Sequence, residues 1–137
     1  MNRTKAREYT FILLFEYKFQ PDSIGEILSD FITEYKPGGQ EEYIKSVVEN
    51  VVDNISQVDS YIENAATGWS ISRISAVSLS VLRLAVAEML YREDIPLMVS
   101  LNEAISIGKI YGGDESAAFL NGVLSNIMHT IEEGKHA

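Results

Sequence analysis

The chain has no cysteine among its 137 residues. Disulfides and thiolate-ligated metal sites are therefore excluded, and the composition suits a reducing cytoplasm. Histidine is nearly absent: only His129 and His136 occur, both near the tail and neither with a spaced partner. No run approaches the roughly 18 consecutive apolar residues of a membrane helix. The basic start followed by Phe11-Ile12-Leu13-Leu14-Phe15 has the outline of a secretory signal. Its apolar run is too short, however, Glu16 and Lys18 interrupt it, and no small-residue cleavage site follows. Also missing are a glycine-rich phosphate loop, a His-Glu-x-x-His motif and a nucleophile elbow. The acid pairs Glu41-Glu42, Glu93-Asp94 and Glu132-Glu133 are sequence neighbours, so on helices they point apart and read as surface. The expectation is a cytoplasmic, non-catalytic protein without metal, cofactor or membrane segment.

Positive charge is scarce too, and the formal net charge is −9. Taken alone, that argues against nucleic acid, but the distribution is uneven. Residues 22–63 carry ten acids against Lys36 and Lys45. The first 21 residues carry Arg3, Lys5, Arg7 and Lys18 against Glu8 and Glu16. A local basic patch attracts a phosphate backbone even on an acidic protein. Cations at a helix start oppose the helix dipole, so helix stability does not explain them. The acidic segment reads as a solvated face.

What the chain does have is helical periodicity nearly throughout, with no alternating strand run. A first helix is expected over about 3–18, ended by Gln20-Pro21. A second, over about 23–35, has the Ser23…Glu26 capping-box pattern and stops at Pro37-Gly38-Gly39. The third, over about 40–65, carries the stripe Ile44, Val47, Val48, Val51, Ile55, Val58, Ile62. Thr67-Gly68 marks a break, and a short turn follows at Trp69–Ile74. The helix over about 75–92 is apolar on most faces and reads as central. Its buried Arg83 needs a carboxylate, with Glu88 or Glu103 as candidates. Ser100 and Glu103 form a second capping box, Gly112-Gly113 supply an exit, and Asp114 opens the last helix, to about 132. The sum is an all-α domain of about seven helices spanning 1–137, as two small subbundles (about 3–65 and 69–132) sharing one core. The band Phe11–Phe15 suits the core or a homodimer equally.

The C-terminal half carries ordered blocks: Leu82-Arg83-Leu84-Ala85, Glu88, Pro96, Leu101-Asn102-Glu103-Ala104 and Phe119-Leu120-Asn121-Gly122-Val123-Leu124. Asn-Gly usually marks a hairpin. Here it lies inside a helical pattern, where glycine costs about 1 kcal/mol against alanine and so suggests a close helix approach. In order and spacing these blocks resemble the NusB family of bacterial transcription antitermination factors, strongly over 69–128 and moderately over 3–17.

The resemblance implies a NusB-type helical fold and a non-catalytic role: binding boxA-type leader RNA with the ribosomal protein NusE, tethered to RNA polymerase, to suppress premature termination in ribosomal RNA operons. Carried onto this sequence, the arginine-rich N-terminus falls on Arg3, Lys5 and Arg7, with Thr4 where another arginine is common. Phe119 and Tyr17 are the implied aromatic contacts, with helix packing as the other reading of Phe119 and the core as that of Tyr17, and Arg73, Arg92 and Asn121 join the RNA side. From the residues themselves, Asn121 reads first as a buried amide locking two helices. Glu115 and Ser116, with Glu88, are the implied NusE edge. Basic groups common in the family are replaced by Leu79, Ala118 and Asn126. Those losses motivate an alternative, a protein-binding adaptor of the same fold. A similar helical domain serves ribosomal RNA cytosine methyltransferases, but a catalytic domain is not expected here.

Overall fold

Asn2 opens the first helix by accepting the Lys5 backbone N–H on its side-chain oxygen at 2.8 Å, which satisfies one otherwise orphaned donor. The computed structural model describes residues 1–136. Among them the α-helices are α1 (Arg3–Phe19), α2 (Ile24–Tyr35), α3 (Glu41–Asp53), α4 (Ile55–Ala65), α5 (Ala76–Tyr91) and α6 (Leu97–His136). Because α6 breaks at Gly113 (φ 82, ψ −173), it is two helical rods, and the described residues form seven in all.

The expected helix over 40–65 is divided at Asn54 (φ −125, ψ 31). The Asn54 amide donates to the Asn50 carbonyl at 2.9 Å. A short polar side chain competing for the backbone in this way breaks helices that an apolar stripe alone would continue. The two capping boxes also differ from expectation. Ser23 stands at the start of α2 but makes no side-chain cap, because a 3-10 turn at Pro21–Ser23 leads in. Ser100 is not a cap at all: α6 starts earlier, after Pro96, and Ser100 is buried one turn inside it.

Helix α5 is the axis, with α1, α3, α4 and α6 all packed on it. Ser75 caps it by accepting the Ser78 N–H at 3.1 Å. Every residue from Ser78 to Met89 is buried, as an all-round apolar helix requires. The core is one continuous cluster from Ala6 to Ile131. The Phe11–Phe15 band goes chiefly into it, with Phe11, Leu13 and Leu14 buried and Ile12 and Phe15 half-buried.

The expected close approach at Gly122 is not there. A Cβ built on Gly122 meets nothing within 4 Å, whereas one on Gly108 runs into the Leu120 side chain. The glycine that lets the two rods of α6 fold together is Gly108, and the side chain filling its gap comes from the Asn-Gly block itself.

Candidate functional site

Arg7 of α1 points inward. Its Nε donates to Glu88 Oε2 at 2.7 Å and its Nη2 to Glu88 Oε1 at 3.3 Å. The Ser100 hydroxyl donates to Oε1 at 2.8 Å, and the Tyr43 hydroxyl donates to Oε2. One carboxylate thus joins α1, α3, α5 and α6. Arg7 is 3% exposed and Glu88 1%, so neither is available at a surface. Their expected places, Arg7 on RNA and Glu88 on the NusE edge, are corrected to the interior. The reason is that a buried charge must be paired and fully hydrogen-bonded, and each satisfies the other.

Burial lowers the Arg7 pKa, but the hydrogen bond and charge of Glu88 outweigh it, leaving the group above its ordinary value. Burial, then the Glu88 charge, pushes the Tyr43 phenol far up, so it stays a neutral donor. Arg83 does not use Glu88 or Glu103. It forms a two-point pair with Asp59 of α4, both contacts at 3.0 Å.

Tyr43 gathers the outer arginines as well. Arg3 lies 4.3 Å from its ring centroid, Arg92 5.6 Å and Arg7 5.7 Å. Arg3 also donates to Gln40 at 2.6 Å. Arg92 is held by Glu42 at 2.7 Å and Asp94 at 2.8 Å, and its hydrogen bond is the main cause holding the Asp94 carboxyl below its usual value. Lys5 is exposed and pairs with Glu8 at 3.2 Å. The structure therefore brings Arg3, Arg7 and Arg92 together, but carboxylates from α3, α5 and the following turn claim the latter two.

Of the other expected RNA residues, Tyr17 lies at a hollow between α1, the 3-10 turn after α4 and α5. Tyr17, Lys18, Ile71, Ser72, Leu79 and Arg83 line this hollow, of about 290 Å³. Tyr17 is largely buried, with the Arg83 guanidinium 5.8 Å from its ring centroid. Arg73 ends the exposed 3-10 turn Ile71–Arg73. Phe119 is half-buried and meets Trp69 edge-on, with centroids 5.7 Å apart. Asn121 is exposed, which removes its reading as a buried interhelical lock.

Glu115 is exposed. The Ser116 hydroxyl donates to the Gly112 carbonyl at 3.0 Å, across the Gly113 break. Of the positions without the family's basic groups, Leu79 is core, at 1% exposure. Thr4, Ala118 and Asn126 are exposed, and Asn126 donates to the Ala65 carbonyl at 3.3 Å.

Sequence reasoning missed Tyr43 and read Ser100 as a helix cap rather than a donor to Glu88. Tyr43 lies four residues before Val47 on the apolar stripe of α3, and that register was its available signal. Among the described residues no group of three or more acidic or histidine side chains could hold a metal ion. No described helix is long and apolar enough to cross a membrane.

Known proteins share the sequence pattern and the backbone fold. The NusB family model matches residues 4–129. The transcription antitermination protein NusB of Acetivibrio thermocellus is 40% identical over 129 residues, covering 93% of this chain and 89% of the relative. A NusB structure from T. maritima superposes with a TM-score of 0.87 at 34% identity, covering 94% of this chain and 92% of that one. A structure of the antitermination factors NusB and NusE in complex with dsRNA superposes with a TM-score of 0.83 at 28% identity, covering 95% and 99%. Matched over nearly its whole length in both sequence and backbone, the chain belongs to the NusB family.

Proposed function

We propose that the chain is a transcription antitermination factor that binds boxA-type RNA together with the ribosomal protein NusE. The observation that carries this reading is the near-complete superposition on the chain solved with NusE and dsRNA. RNA contact is assigned to Arg3, Lys5, Arg73, Arg92, Tyr17, Phe119 and Asn121. Arg3, Lys5 and Arg73 present charge at the surface, Phe119 presents a ring, and Arg92 would exchange a carboxylate for a phosphate. Arg7 serves by fixing α1 from within. Glu115 and the outer face around Ser116 are assigned to NusE. The assembly would join the RNA polymerase antitermination complex in the cytoplasm, with no catalytic step. The exposed end of the α1 aromatic stripe, at Phe19, is the assigned contact for a homodimer.

A second reading is favoured by one observation: Arg7 and Arg92 are already paired with carboxylates, and Leu79 is core. On that reading the chain is a protein-binding adaptor with weak RNA affinity. Fluorescence anisotropy with a boxA RNA and a scrambled control, each with and without NusE, separates the two. Preference for boxA that strengthens with NusE supports antitermination. NusE binding with no RNA binding supports the adaptor.

A further inference from the structure

We propose that the groove between α1 and α2 is a docking site for an arginine side chain of a partner protein. The site stands apart from the RNA-binding reading. Helix α6, which carries the NusE assignment, does not line the groove, and neither do Arg3 and Lys5.

Helical spacing builds the groove. Tyr9 and Glu16 stand two turns apart on α1, while Asp30 and Glu34, like Phe31 and Tyr35, stand one turn apart on α2. Each set therefore shares a helix face. The two faces meet over a groove of about 380 Å³. Helix α2 ends at Tyr35 because Lys36 takes the left-handed conformation (φ 46, ψ 65), and the Lys36 N–H donates back to the Ile32 carbonyl at 3.0 Å.

The floor is aromatic. Tyr9, Phe31 and Tyr35 form a closed triangle, with ring centroids 5.2, 5.2 and 4.7 Å apart. Phe31 is buried and anchors the triangle in the core, Tyr9 is half-buried, and Tyr35 is 49% exposed. Packing of α2 on α1 accounts for the triangle. It does not account for the charge around it.

The walls are acidic. Glu16, Asp30 and Glu34 line the groove, and no cationic side chain does. Among the described residues none of these three carboxylates is in an ion pair. Helix stability does not explain them either. Asp30 and Glu34 are a like-charge pair one turn apart, which destabilises a helix. Glu34, in the last turn of α2, also opposes the helix dipole. Uncompensated carboxylates beside exposed rings attract a cation. The chain shows that attraction at the edge of the triangle, where the Lys5 ammonium lies 5.4 Å from the Tyr9 ring centroid.

Chemistry narrows the cation. Among the described residues no group of three or more acidic or histidine side chains could hold a metal ion. Phosphate-bearing ligands and anionic membranes are repelled by the walls. An ammonium is strongly hydrated, whereas a guanidinium is flat, weakly hydrated, stacks on aromatic faces and offers two parallel N–H donors to a carboxylate. The half-buried Ile12 and Ile27, facing each other's helix across the groove, match the aliphatic stem of such a side chain.

The test titrates the full, isotope-labelled chain with acetyl-Gly-Arg-Gly-amide and with its lysine and citrulline counterparts, following backbone amide shifts by NMR. One saturable midpoint at Tyr9, Glu16, Phe31 and Tyr35 is expected, with the neutral citrulline peptide about tenfold weaker and the lysine peptide in between. The paired change Asp30→Asn with Glu34→Gln keeps the shape of the groove. It should weaken the arginine peptide about tenfold while the melting temperature holds or rises, because a like-charge pair is removed. A purely structural role for these carboxylates would lower the melting temperature instead and leave peptide binding as it was. Tyr35→Leu, which keeps an apolar contact, should weaken the arginine peptide severalfold and leave the citrulline peptide unchanged. Circular dichroism melts confirm that the variants fold.

Equal binding of the arginine and citrulline peptides would make this an apolar groove and overturn the cation site. Shifts spread evenly over the acidic residues of α3, or full affinity in the paired variant, would reduce the effect to attraction by net charge and overturn it too. Groove shifts that grow with protein concentration, without peptide, would make a second copy the occupant and refute the partner assignment. Absence of any saturable shift at the groove would remove the site.

Discussion

Arg7 of α1 and Glu88 of α5, eighty-one residues apart, close a two-point ion pair in the core. Tyr43 and Ser100 complete the carboxylate's hydrogen bonds from α3 and α6. The geometry makes Glu88 a tie between the two halves of the chain. Replacing Glu88 by Gln keeps the shape but leaves a buried guanidinium without its counter-charge, which costs about 3–5 kcal/mol in comparable sites. Arg3→Ala, at the rim, should cost about 1 kcal/mol or less. Urea unfolding checks both. A Glu88→Gln midpoint equal to that of the unmodified chain would mean the network does not hold the halves together. The double change Arg7→Met with Glu88→Leu should recover only part of the stability, because Tyr43 and Ser100 then lack an acceptor.

Two glycines in α6 should respond with opposite signs. Gly108→Ala drives a methyl into Leu120, and overpacking of this kind costs about 1–3 kcal/mol. Gly122→Ala meets only open space. At a helical site alanine should then stabilise by about 0.5–1 kcal/mol, because it lowers the chain entropy of the unfolded state. Thermal melts of the two variants read the signs directly. A destabilised Gly122→Ala would show that the site is more crowded than its geometry indicates.

The helices were legible because their stripes have the right period, and the central place of α5 followed from its all-round apolarity. The break at Asn54 was not legible. It depends on one side chain turning back to Asn50, a choice that periodicity does not encode. Charged residues were misplaced for a related reason. Arg7 and Arg3 sit on one helix in one basic cluster, and nothing local marks which faces inward. The answer lies in Glu88 and Tyr43, on elements far along the chain. Gly122 shows the same limit: the Asn-Gly block suggested a close approach, and the approach exists, but through Leu120 against Gly108. Phe119 was expected at the surface or in helix packing and is half-buried against the core, and its partner Trp69 became visible only when the turn after Gly68 brought the two rings together.

Stability should fall at alkaline pH, and Tyr43 should account for much of the slope. In the folded chain, burial and then the Glu88 charge raise the Tyr43 pKa. In the unfolded chain a tyrosine titrates near about pH 10. Below that pH both states are neutral and the hydrogen bond to Glu88 contributes fully. Above it the unfolded state gives up a proton that the folded state retains, so stability declines as pH rises. Tyr17, Tyr91 and Tyr111 shift in the same direction, burial being the first cause in each. Urea midpoints at pH 8 and above pH 10 measure the slope. Tyr43→Phe should be less stable at pH 8 and should fall less on going alkaline. An unchanged slope in that variant would place the effect on the other tyrosines.

RNA affinity should divide into a salt-dependent and a salt-independent part, each mapped to a different locus. The Arg3→Ala and Lys5→Ala double change removes surface cations at the α1 start. If each meets a phosphate, affinity falls across all RNA sequences, and the slope against log salt becomes shallower by about 0.7 for each single-strand phosphate no longer neutralised. Arg7→Ala should behave differently. Its charge is already neutralised by Glu88, so the slope of the folded fraction should stay as it was and the decrease in binding should follow stability. Anisotropy titrations at several salt concentrations, on variants whose folded fraction is known, distinguish these outcomes. A slope change in Arg7→Ala matching that of the surface pair would mean the Glu88 pair opens when RNA binds, and that Arg7 moves from the core to the phosphate.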